Sequence, residues 1–168
     1  FIPSTPKFLS LYDALGIKPP KFASLPHIMA DGGKKKLGKR DGAKDILEYK
    51  NEGFLPETMF NFLAFLGWNP GDDREVMTRN EIIESFDIHK VQKSGAQLNE
   101  EKLLWLNKEH LKNISFEEKL SETKKYLPTY ITDNKNYTEE KFRKIFLVLL
   151  ERMSKYTDIV KMSDEGEI

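Results

Sequence analysis

Residues 53–68 read Gly-Phe-Leu-Pro-Glu-Thr-Met-Phe-Asn-Phe-Leu-Ala-Phe-Leu-Gly-Trp, and this stretch decides the fold class. Pro56 suits the first turn of a helix, where its missing N–H would have no helical partner in any case. Apolar side chains then follow until Gly67, a residue type typical of a helix end. The pattern predicts a helix whose three phenylalanines are buried between neighbouring helices.

Similar signals recur on both sides of this stretch and predict a mainly α-helical chain. Polar capping residues or prolines precede several runs of apolar residues at helical spacing. Thr78 and Ser115 each begin a capping box, with Glu81 and Glu118 three residues later. Helices are predicted to begin at or near Ser4, Asp45, Pro56, Thr78, Asn99, Ser115, Thr138 and Lys155. The best candidate for a strand is the short apolar run 22–29.

The composition excludes several kinds of site. The chain has 168 residues and no cysteine, so disulfides, thiolate metal sites and cysteine nucleophiles are excluded. His27, His89 and His110 lie too far apart for helical metal-ligand spacing, and no metal site is expected. No apolar run approaches the roughly 18 residues that a membrane-spanning helix needs, so we expect no membrane contact.

Positive charge is concentrated near the N-terminal end of a chain whose formal net charge is zero. Residues 1–50 contain ten Lys and Arg against five Asp and Glu, whereas residues 51–168 contain seventeen against twenty-two. The excess centres on residues 34–42, Lys-Lys-Lys-Leu-Gly-Lys-Arg-Asp-Gly. Glycines let a backbone approach a ligand closely, and lysines supply mobile charges for phosphate. The charge pattern alone leaves a solvated basic turn, a nuclear-localisation signal and a general RNA patch open as alternatives.

The order of residues around this loop resembles that of class I aminoacyl-tRNA synthetases, most closely the bacterial and organellar glutamyl-tRNA synthetases. Residues 36–43, Lys-Leu-Gly-Lys-Arg-Asp-Gly-Ala, are similar to the KMSKS-type signature in the form Lys-Leu-Ser-Lys-Arg-Asp-Gly-Ala. Other similar segments occur in the same order and spacing: 5–16, 20–26, 53–57, 61–68, 91–94 and 102–107. The resemblance covers about residues 3–112 and fades after them.

The resemblance implies a site and a reaction. Lys39 is the main candidate for contact with the phosphates of ATP, with Lys36 and Arg40 in support. Backbone near Ile28 and Met29 would lie beside the adenine. The family makes glutamyl-adenylate from L-glutamate and ATP, with Mg²⁺ accompanying the ATP, and then transfers the glutamate to tRNA(Glu). The resemblance also implies a cytoplasmic monomer.

Three pieces of the chain correspond to parts of such an enzyme. Residues 1–51 resemble the end of a catalytic domain with its KMSKS-type loop, residues 52–113 a helical stem-contact domain, and residues 114–168 the start of a helical anticodon-binding region. Nothing resembles the Rossmann-type front half with its His-Ile-Gly-His-like motif. We therefore expect a C-terminal fragment that is inactive alone, with a stand-alone RNA-binding or interaction module as the alternative. Whether the parent enzyme also charges tRNA(Gln) stays open.

Two glycines depart from the pattern of the family. Gly38 stands where serine is usual, which removes a hydroxyl that could brace the loop. Lys39 would then lose more conformational freedom when ATP binds. Gly95 stands where proline is common, a change that we expect to matter less.

Side chains outside the loop are assigned from their surroundings in the sequence. Trp68 and Trp105 lie in apolar helical runs and are expected in the core rather than as stacking platforms for bases. His110 is expected to be exposed. The basic side chains of the third piece are candidates for RNA contact, although a solvated helix face fits them equally: Lys141, Arg143, Lys144, Arg152 and Lys155.

Overall fold

The computed structural model describes residues 2–30, 33, 35–38, 40 and 42–168, and this part of the chain is mainly α-helical, as predicted. Short 3₁₀ turns lie at Ile2–Ser4 and Ile88–Lys90. The α-helices are α1 (Thr5–Ala14), α2 (Ile46–Asn51), α3 (Pro56–Phe65), α4 (Arg79–Ser85), α5 (Glu100–Lys112), α6 (Phe116–Lys124), α7 (Thr129–Thr132), α8 (Glu139–Leu149) and α9 (Asp158–Asp164). None of the helices in these ranges is long and apolar enough to cross a membrane.

Side-chain caps explain several helix starts. The Asp45 carboxylate accepts from the N–H groups of Leu47 and Glu48, and the Glu48 side chain accepts from the Asp45 N–H in return. Thr78 and Glu81 form the predicted capping box at α4. The Asn99 side chain caps α5. These caps satisfy N–H groups that a helix leaves without partners in its first turn.

Three local predictions are wrong in an informative way. The described residues contain no strand over 22–29, because Pro26 lacks an N–H and only Met29 forms β-bridges, each of them isolated. Ser4 precedes α1 but its side chain makes no capping bond. The last helix begins at Asp158 instead of Lys155, since the Asp158 carboxylate accepts from the N–H groups of residues 154 and 155 and turns the chain there.

The core lies in the helical body, residues 46–168. No described residue before Tyr49 is buried. One apolar cluster joins α2, α3 and α5, and consists of Tyr49, Phe54, Met59, Phe62, Leu103 and Leu106. A second cluster lies beyond α5 and consists of Leu120, Phe142, Phe146, Leu149, Met153, Ile159 and Met162. Smaller clusters form around Trp68 and around Leu55.

A junction connects these two large clusters at Gly53. The backbone of Gly53 adopts a φ of 81°, and its Cα lies so close to residues 156–157 that a Cβ would be 2.9 Å from the Thr157 nitrogen. The Thr157 hydroxyl donates to the Glu52 carbonyl at 2.6 Å, and Lys155 Nζ lies 3.2 Å from the Glu52 carboxylate. The side chain of Asn107 accepts from the Leu55 N–H and donates to the backbone at 154. Segments about 100 residues apart are thereby fixed to each other.

The structure corrects the expected positions of three side chains. Trp105 is 42% exposed on the outer face of α5, whereas Trp68 is buried as predicted. His110 is buried instead of exposed, because it shares the inner face of α5 with Leu103, Leu106 and Leu111. Of the phenylalanines in α3, Phe62 is buried but Phe60 is 38% exposed.

Candidate functional site

The base of the basic loop is held by backbone hydrogen bonds. The Leu37 N–H donates to the Ile28 carbonyl at 2.9 Å, and the Ala30 N–H donates to the Lys35 carbonyl at 2.8 Å. These bonds place Lys36 opposite Met29 in an isolated antiparallel bridge. The start of the loop is therefore fixed in register against residues 28–30.

A second segment holds Met29 from its other side. The Met29 N–H donates to the Ala96 carbonyl at 2.8 Å, and the Leu98 N–H donates to the Met29 carbonyl at 3.4 Å. Met29 thus lies between residues 35–37 and residues 96–98, and the latter lead directly into α5. We call this three-segment arrangement the clasp. It connects the basic loop to the helical body.

Glycines permit the close approaches within the clasp. Gly33 has a φ of 68°, and a Cβ at this position would lie 2.1 Å from Nε2 of Gln97. The flexible end of Gln97 could move aside, but Gly95 meets backbone: a Cβ there would lie 2.7 Å from the His27 carbonyl oxygen and 2.9 Å from Met29 Cγ. The departure at Gly95, which the sequence suggested was minor, therefore lies at a tight contact of the clasp.

The structure brings only some of the predicted site residues together. Ile28, Met29 and Lys36 meet in the clasp. Lys36 and Arg40 are both exposed, and neither forms an ion pair with another described residue. Lys39, the main candidate, lies outside the described residues. The loop therefore presents at least two cations that the described chain leaves available to an anion.

The far end of the loop is attached to the helical body by Lys44. Lys44 Nζ lies 2.7 Å from Oε1 of Glu52, and this hydrogen bond raises the pKa of Lys44 and lowers the pKa of Glu52. Lys155 contacts the other carboxylate oxygen of Glu52. Glu52 consequently joins the exit of the loop to the Gly53 junction.

The five basic side chains of the third piece already have partners within the chain. Arg143 forms a two-pronged contact with the Glu117 carboxylate, and Lys144 bonds Glu140 at 2.6 Å. The other three bond acceptors within the chain, namely Arg152 with Glu167, Lys155 with Glu52, and Lys141 with the Asn136 carbonyl. Their charges are largely engaged, which favours the solvated helix face over an RNA contact.

A buried polar network lies between α3 and α5. Asn61 Oδ1 accepts from the Met77 N–H at 2.8 Å and lies 3.1 Å from His110 Nε2. The second contact is a hydrogen bond when His110 carries its proton on Nε2. Burial lowers the pKa of His110, while the nearby Glu57 carboxylate acts in the opposite direction. The geometry is that of a structural histidine. The described residues contain no group of three or more side chains suited to hold a metal ion.

Comparison with known proteins identifies the family. The model of the class I tRNA synthetases for glutamate and glutamine, catalytic domain, matches residues 1–105. The chain therefore belongs to the class I tRNA synthetases of the glutamate and glutamine group.

Within that family, the similarity is to bacterial glutamate–tRNA ligases. Glutamate–tRNA ligase 1 of Aliarcobacter butzleri is 43% identical over 167 residues, 98% of this chain and 35% of the relative. Glutamate–tRNA ligase of Dehalococcoides mccartyi is 48% identical over 115 residues, 68% of this chain and 24% of the relative. The chain thus spans about a third or less of the length of these relatives.

Solved structures show the same relationship. A glutamate tRNA ligase from Elizabethkingia meningosepticum, in complex with its amino acid, superposes with a TM-score of 0.79 at 36% identity. That alignment covers 98% of this chain and 35% of the solved one. The glutamate–tRNA synthetase of Elizabethkingia anophelis gives a TM-score of 0.80 at the same identity, with 97% and 35% covered.

Proposed function

We propose that this chain is the part of a glutamate–tRNA ligase that contacts the phosphates of ATP and faces the tRNA. The observation that carries the proposal is the pair of exposed cations, Lys36 and Arg40, on a loop whose base is fixed by the clasp. Similarity to glutamate–tRNA ligases over 98% of the chain supports the choice of reaction. The substrates are L-glutamate, ATP and tRNA(Glu).

In the reaction, a carboxylate oxygen of glutamate attacks the α-phosphorus of ATP. The bond from that phosphorus to the bridging oxygen breaks, and pyrophosphate leaves as glutamyl-adenylate forms. The glutamyl group then passes to tRNA, and AMP is released. Negative charge grows on the leaving pyrophosphate, so cations placed beside it stabilise the transition state more than the ground state.

Lys39 is the main phosphate contact in this proposal, and Lys36 and Arg40 support it. The clasp fixes the backbone of Lys36, which reduces the freedom that its side chain must lose on binding. Both backbone hydrogen-bonding groups of Met29 already have partners at 96 and 98. The Ile28 carbonyl likewise accepts from the Leu37 N–H, so the adenine contact falls mainly to the side chain of Ile28, a residue that is 38% exposed. Mg²⁺, which the family implies, would arrive with the ATP phosphates and screen their charge.

The three-piece division is part of the same proposal. Residues 1–51 end the catalytic domain, residues 52–113 form the stem-contact domain, and residues 114–168 begin the anticodon-binding region. Tyr49 packs with Phe54 and Leu103, so the first boundary cuts through an apolar cluster. We propose that the first two pieces move as one body in a monomeric, cytoplasmic ligase.

The chain by itself is proposed not to form glutamyl-adenylate, because the glutamate site and the remaining ATP contacts belong to the rest of such an enzyme. Purified chain should show no glutamate-dependent exchange of pyrophosphate into ATP. Exchange at the rate of a complete ligase would overturn this part of the proposal.

The decisive experiment changes Lys39→Ala in the complete ligase that carries this segment. Glutamate-dependent pyrophosphate exchange should fall by about 100-fold, as expected when one preorganised charge donor is lost. Lys50→Ala is the matched control, because Lys50 is an exposed lysine of α2 outside the loop. An unchanged rate in the Lys39 variant, or an equal loss in both variants, contradicts the proposed role.

A second variant examines the unusual glycine. Gly38→Ser supplies the hydroxyl that is usual in the family and reduces the freedom of the free loop. The KM for ATP should fall or the rate of exchange should rise. A higher KM together with a slower exchange would show that glycine is required at this position.

A further inference from the structure

The carboxylate of Glu52 is shared by two lysines from distant parts of the chain. Lys44 Nζ lies 2.7 Å from Oε1 of Glu52, and Lys155 Nζ lies 3.2 Å from Oε2. Lys44 precedes α2, Glu52 directly follows it, and Lys155 lies 103 residues beyond Glu52. We call these three side chains the lysine bridge. It joins the exit of the basic loop, the end of α2 and the third piece at one point.

Each ammonium group of the lysine bridge also lies over an aromatic ring of the body. Lys44 Nζ is 5.5 Å from the centre of the Tyr49 ring, and Lys155 Nζ is 5.2 Å from the centre of the Phe54 ring. The two rings contact each other edge to face, with their centroids 5.8 Å apart. A ring face attracts a cation, so each lysine has a second partner that restricts the direction of its side chain.

The lysine bridge is more enclosed than an ion pair on a helix surface. Its side chains are between 23% and 32% exposed, whereas Lys144 and Glu140 on α8 are both more than 70% exposed. Exposed pairs contribute little because water and salt screen them, and partly buried pairs are screened less. A second carboxylate near Lys44, that of Glu100 at the start of α5, is further away at 3.8 Å. The bridge is therefore an ordered attachment for the chain at Lys44.

This attachment lies at the second end of a short loop whose first end is the clasp. The clasp fixes Leu37 by a backbone hydrogen bond. The Ala43 N–H donates to the Gly38 carbonyl at 3.3 Å, and Lys44 follows directly. Because four residues of extended chain span at most about 14 Å, the position of Lys44 limits the position of Arg40.

We propose that Glu52 is a positioning residue for the basic loop, and that its contacts with Lys44 and Lys155 restrict the positions in which Lys39 and Arg40 meet an anion. The identity of that anion as the phosphates of ATP rests on the proposed function. Cations on a loop attached at both ends lose less freedom when they bind, so Glu52 favours the contact without touching the ligand. Lys155 bonds the second carboxylate oxygen and thereby sets the direction in which the first one faces Lys44.

The test measures how fast an arginine-specific protease cleaves the full chain after Arg40 in the absence of ATP. Cleavage requires local opening of the chain around the cut, so the rate reports how firmly the loop is attached. Glu52→Gln should accelerate this cleavage by about fivefold. Lys155→Met, which removes a charge far from the cut in the sequence, should accelerate it by about threefold.

A matched control and a cycle of variants restrict the effect to the bridge. Lys161→Met removes an exposed lysine that pairs with Glu165 on α9, and it should change the rate by less than about twofold. The double variant Glu52→Gln/Lys155→Met should be cleaved no faster than Glu52→Gln, because both changes remove the same contact. Equal rates in Lys161→Met and Lys155→Met, or effects that simply multiply in the double variant, overturn the bridge.

Cleavage after Arg143, within α8, reports opening of the body in the same digest. Mass spectrometry of the fragments measures both cuts, and the rate after Arg143 should stay within about twofold in every variant. Equal acceleration after Arg40 and Arg143 would show a general loss of stability and would contradict a specific effect on the loop.

Exchange kinetics test the positioning role in the complete ligase that carries this segment. Glu52→Gln should lower the maximal rate of glutamate-dependent pyrophosphate exchange by about fivefold and leave the KM for glutamate within about twofold. Lys155→Met should lower the rate by about threefold, whereas Lys155→Arg, which keeps the charge, should retain it. An unchanged rate in Glu52→Gln, or an equal loss in Lys155→Met and Lys155→Arg, rules out positioning by charge.

The two assays separate this inference from the proposed function. An unchanged exchange rate in Lys39→Ala contradicts the proposed function, but it does not affect the cleavage rates after Arg40, which are measured without ATP. Conversely, Glu52 has no positioning role if Lys39→Ala abolishes exchange while Glu52→Gln is cleaved and exchanges like the unmodified protein.

Discussion

Apolar side chains of the segment before α2, residues 2–45, are not buried, whereas the helical body, residues 46–168, encloses many of its own in a core. In the segment, Phe8, Leu11, Leu15 and Phe22 are each at least 45% exposed, and α1 buries no residue. In the body, four apolar clusters enclose side chains from every helix except the short α7. The comparison teaches that the stability of this chain belongs to the body. The base of the basic loop is bonded to residues 28–30 of the segment, and Met29 in turn connects it to residues 96 and 98 of the body.

Core truncation should show the largest contrast between the two regions. Phe146 is fully buried in the cluster of α8, and Phe146→Ala should lower the free energy of unfolding by about 4 kcal/mol. Phe8→Ala, the control in the segment, should change it by less than about 0.5 kcal/mol. Urea unfolding followed by circular dichroism at 222 nm measures both. A loss of similar size in Phe8→Ala would show that the segment contributes to stability as much as the body does.

Two glycines with left-handed backbones give the next largest contrast. Gly53→Ala combines an unfavourable φ with a Cβ that would lie 2.9 Å from backbone at the junction, so the free energy of unfolding should fall by about 3 kcal/mol. Gly16 has a φ of 64°, but nothing lies within 4 Å of the place that an added methyl group would occupy. Gly16→Ala therefore adds only the energetic cost of a left-handed backbone, about 1 kcal/mol. This cost falls on a segment that contributes little to the free energy of global unfolding. Thermal unfolding curves of the two variants should differ in midpoint, and coincident midpoints would contradict this ordering.

Loss of one buried amide should have a smaller effect. Asn107→Ala removes the acceptor of the Leu55 N–H and the donor to the backbone at 154, and it should cost about 2 kcal/mol because a buried N–H is left unpaired. Asn113→Ala, at the exposed end of the same helix, is the control. Equal stability of the two variants would show that the junction does not depend on this side chain.

The pH dependence of stability should be the mildest effect and confined to the body. Burial lowers the pKa of His110 in the folded chain, so the unfolded chain takes up the proton more readily. The contribution of His110 is therefore complete above its unfolded pKa of about 6.5 and is lost as the pH falls below that value. Unfolding free energies measured from pH 7.5 to pH 5 should decrease with falling pH. The slope should be shallower in His110→Gln than in the unmodified chain. Identical slopes in the two chains would exclude His110 as the cause.

Local signals make much of the fold predictable. Asp45, Thr78 and Asn99 lie next to the N–H groups that they cap, so the sequence predicts these helix starts directly. The clasp cannot be predicted in this way. It joins Met29 to residues 96 and 98, nearly 70 positions away, through backbone atoms that carry no residue-specific signal. The only hint is Gly95, whose missing side chain lets the two segments meet.

The burial of Trp105 and His110 on α5 was predicted wrongly because it was inferred from residue type and not from position on the helix. Its apolar pattern identifies a helix, but residue type alone places Trp105 and His110 on the wrong faces. Counting from Leu103 and Leu106 places position 110 on the same side as these leucines and position 105 on the other. At the candidate site, the family resemblance supplies the roles of Lys36, Lys39 and Arg40. The partners of the third-piece cations depend on pairs such as Arg143 with Glu117, 26 residues apart, which no local pattern indicates.

The Gly53 junction has a consequence for the order in which this chain can fold during synthesis. A ribosome delivers residues 46–113 well before residues 155–157 exist, and domains generally fold from the N-terminal side as the chain emerges. The cluster of Tyr49 and Leu103 can therefore form early, with Gly53 still uncovered. Closing the junction then brings together segments about 100 residues apart in one late step, whose entropic penalty grows only slowly with loop length. Until that step, the backbone at Glu52 and Gly53 stays exposed in the nascent chain, because residues 156–157 have not yet packed against it.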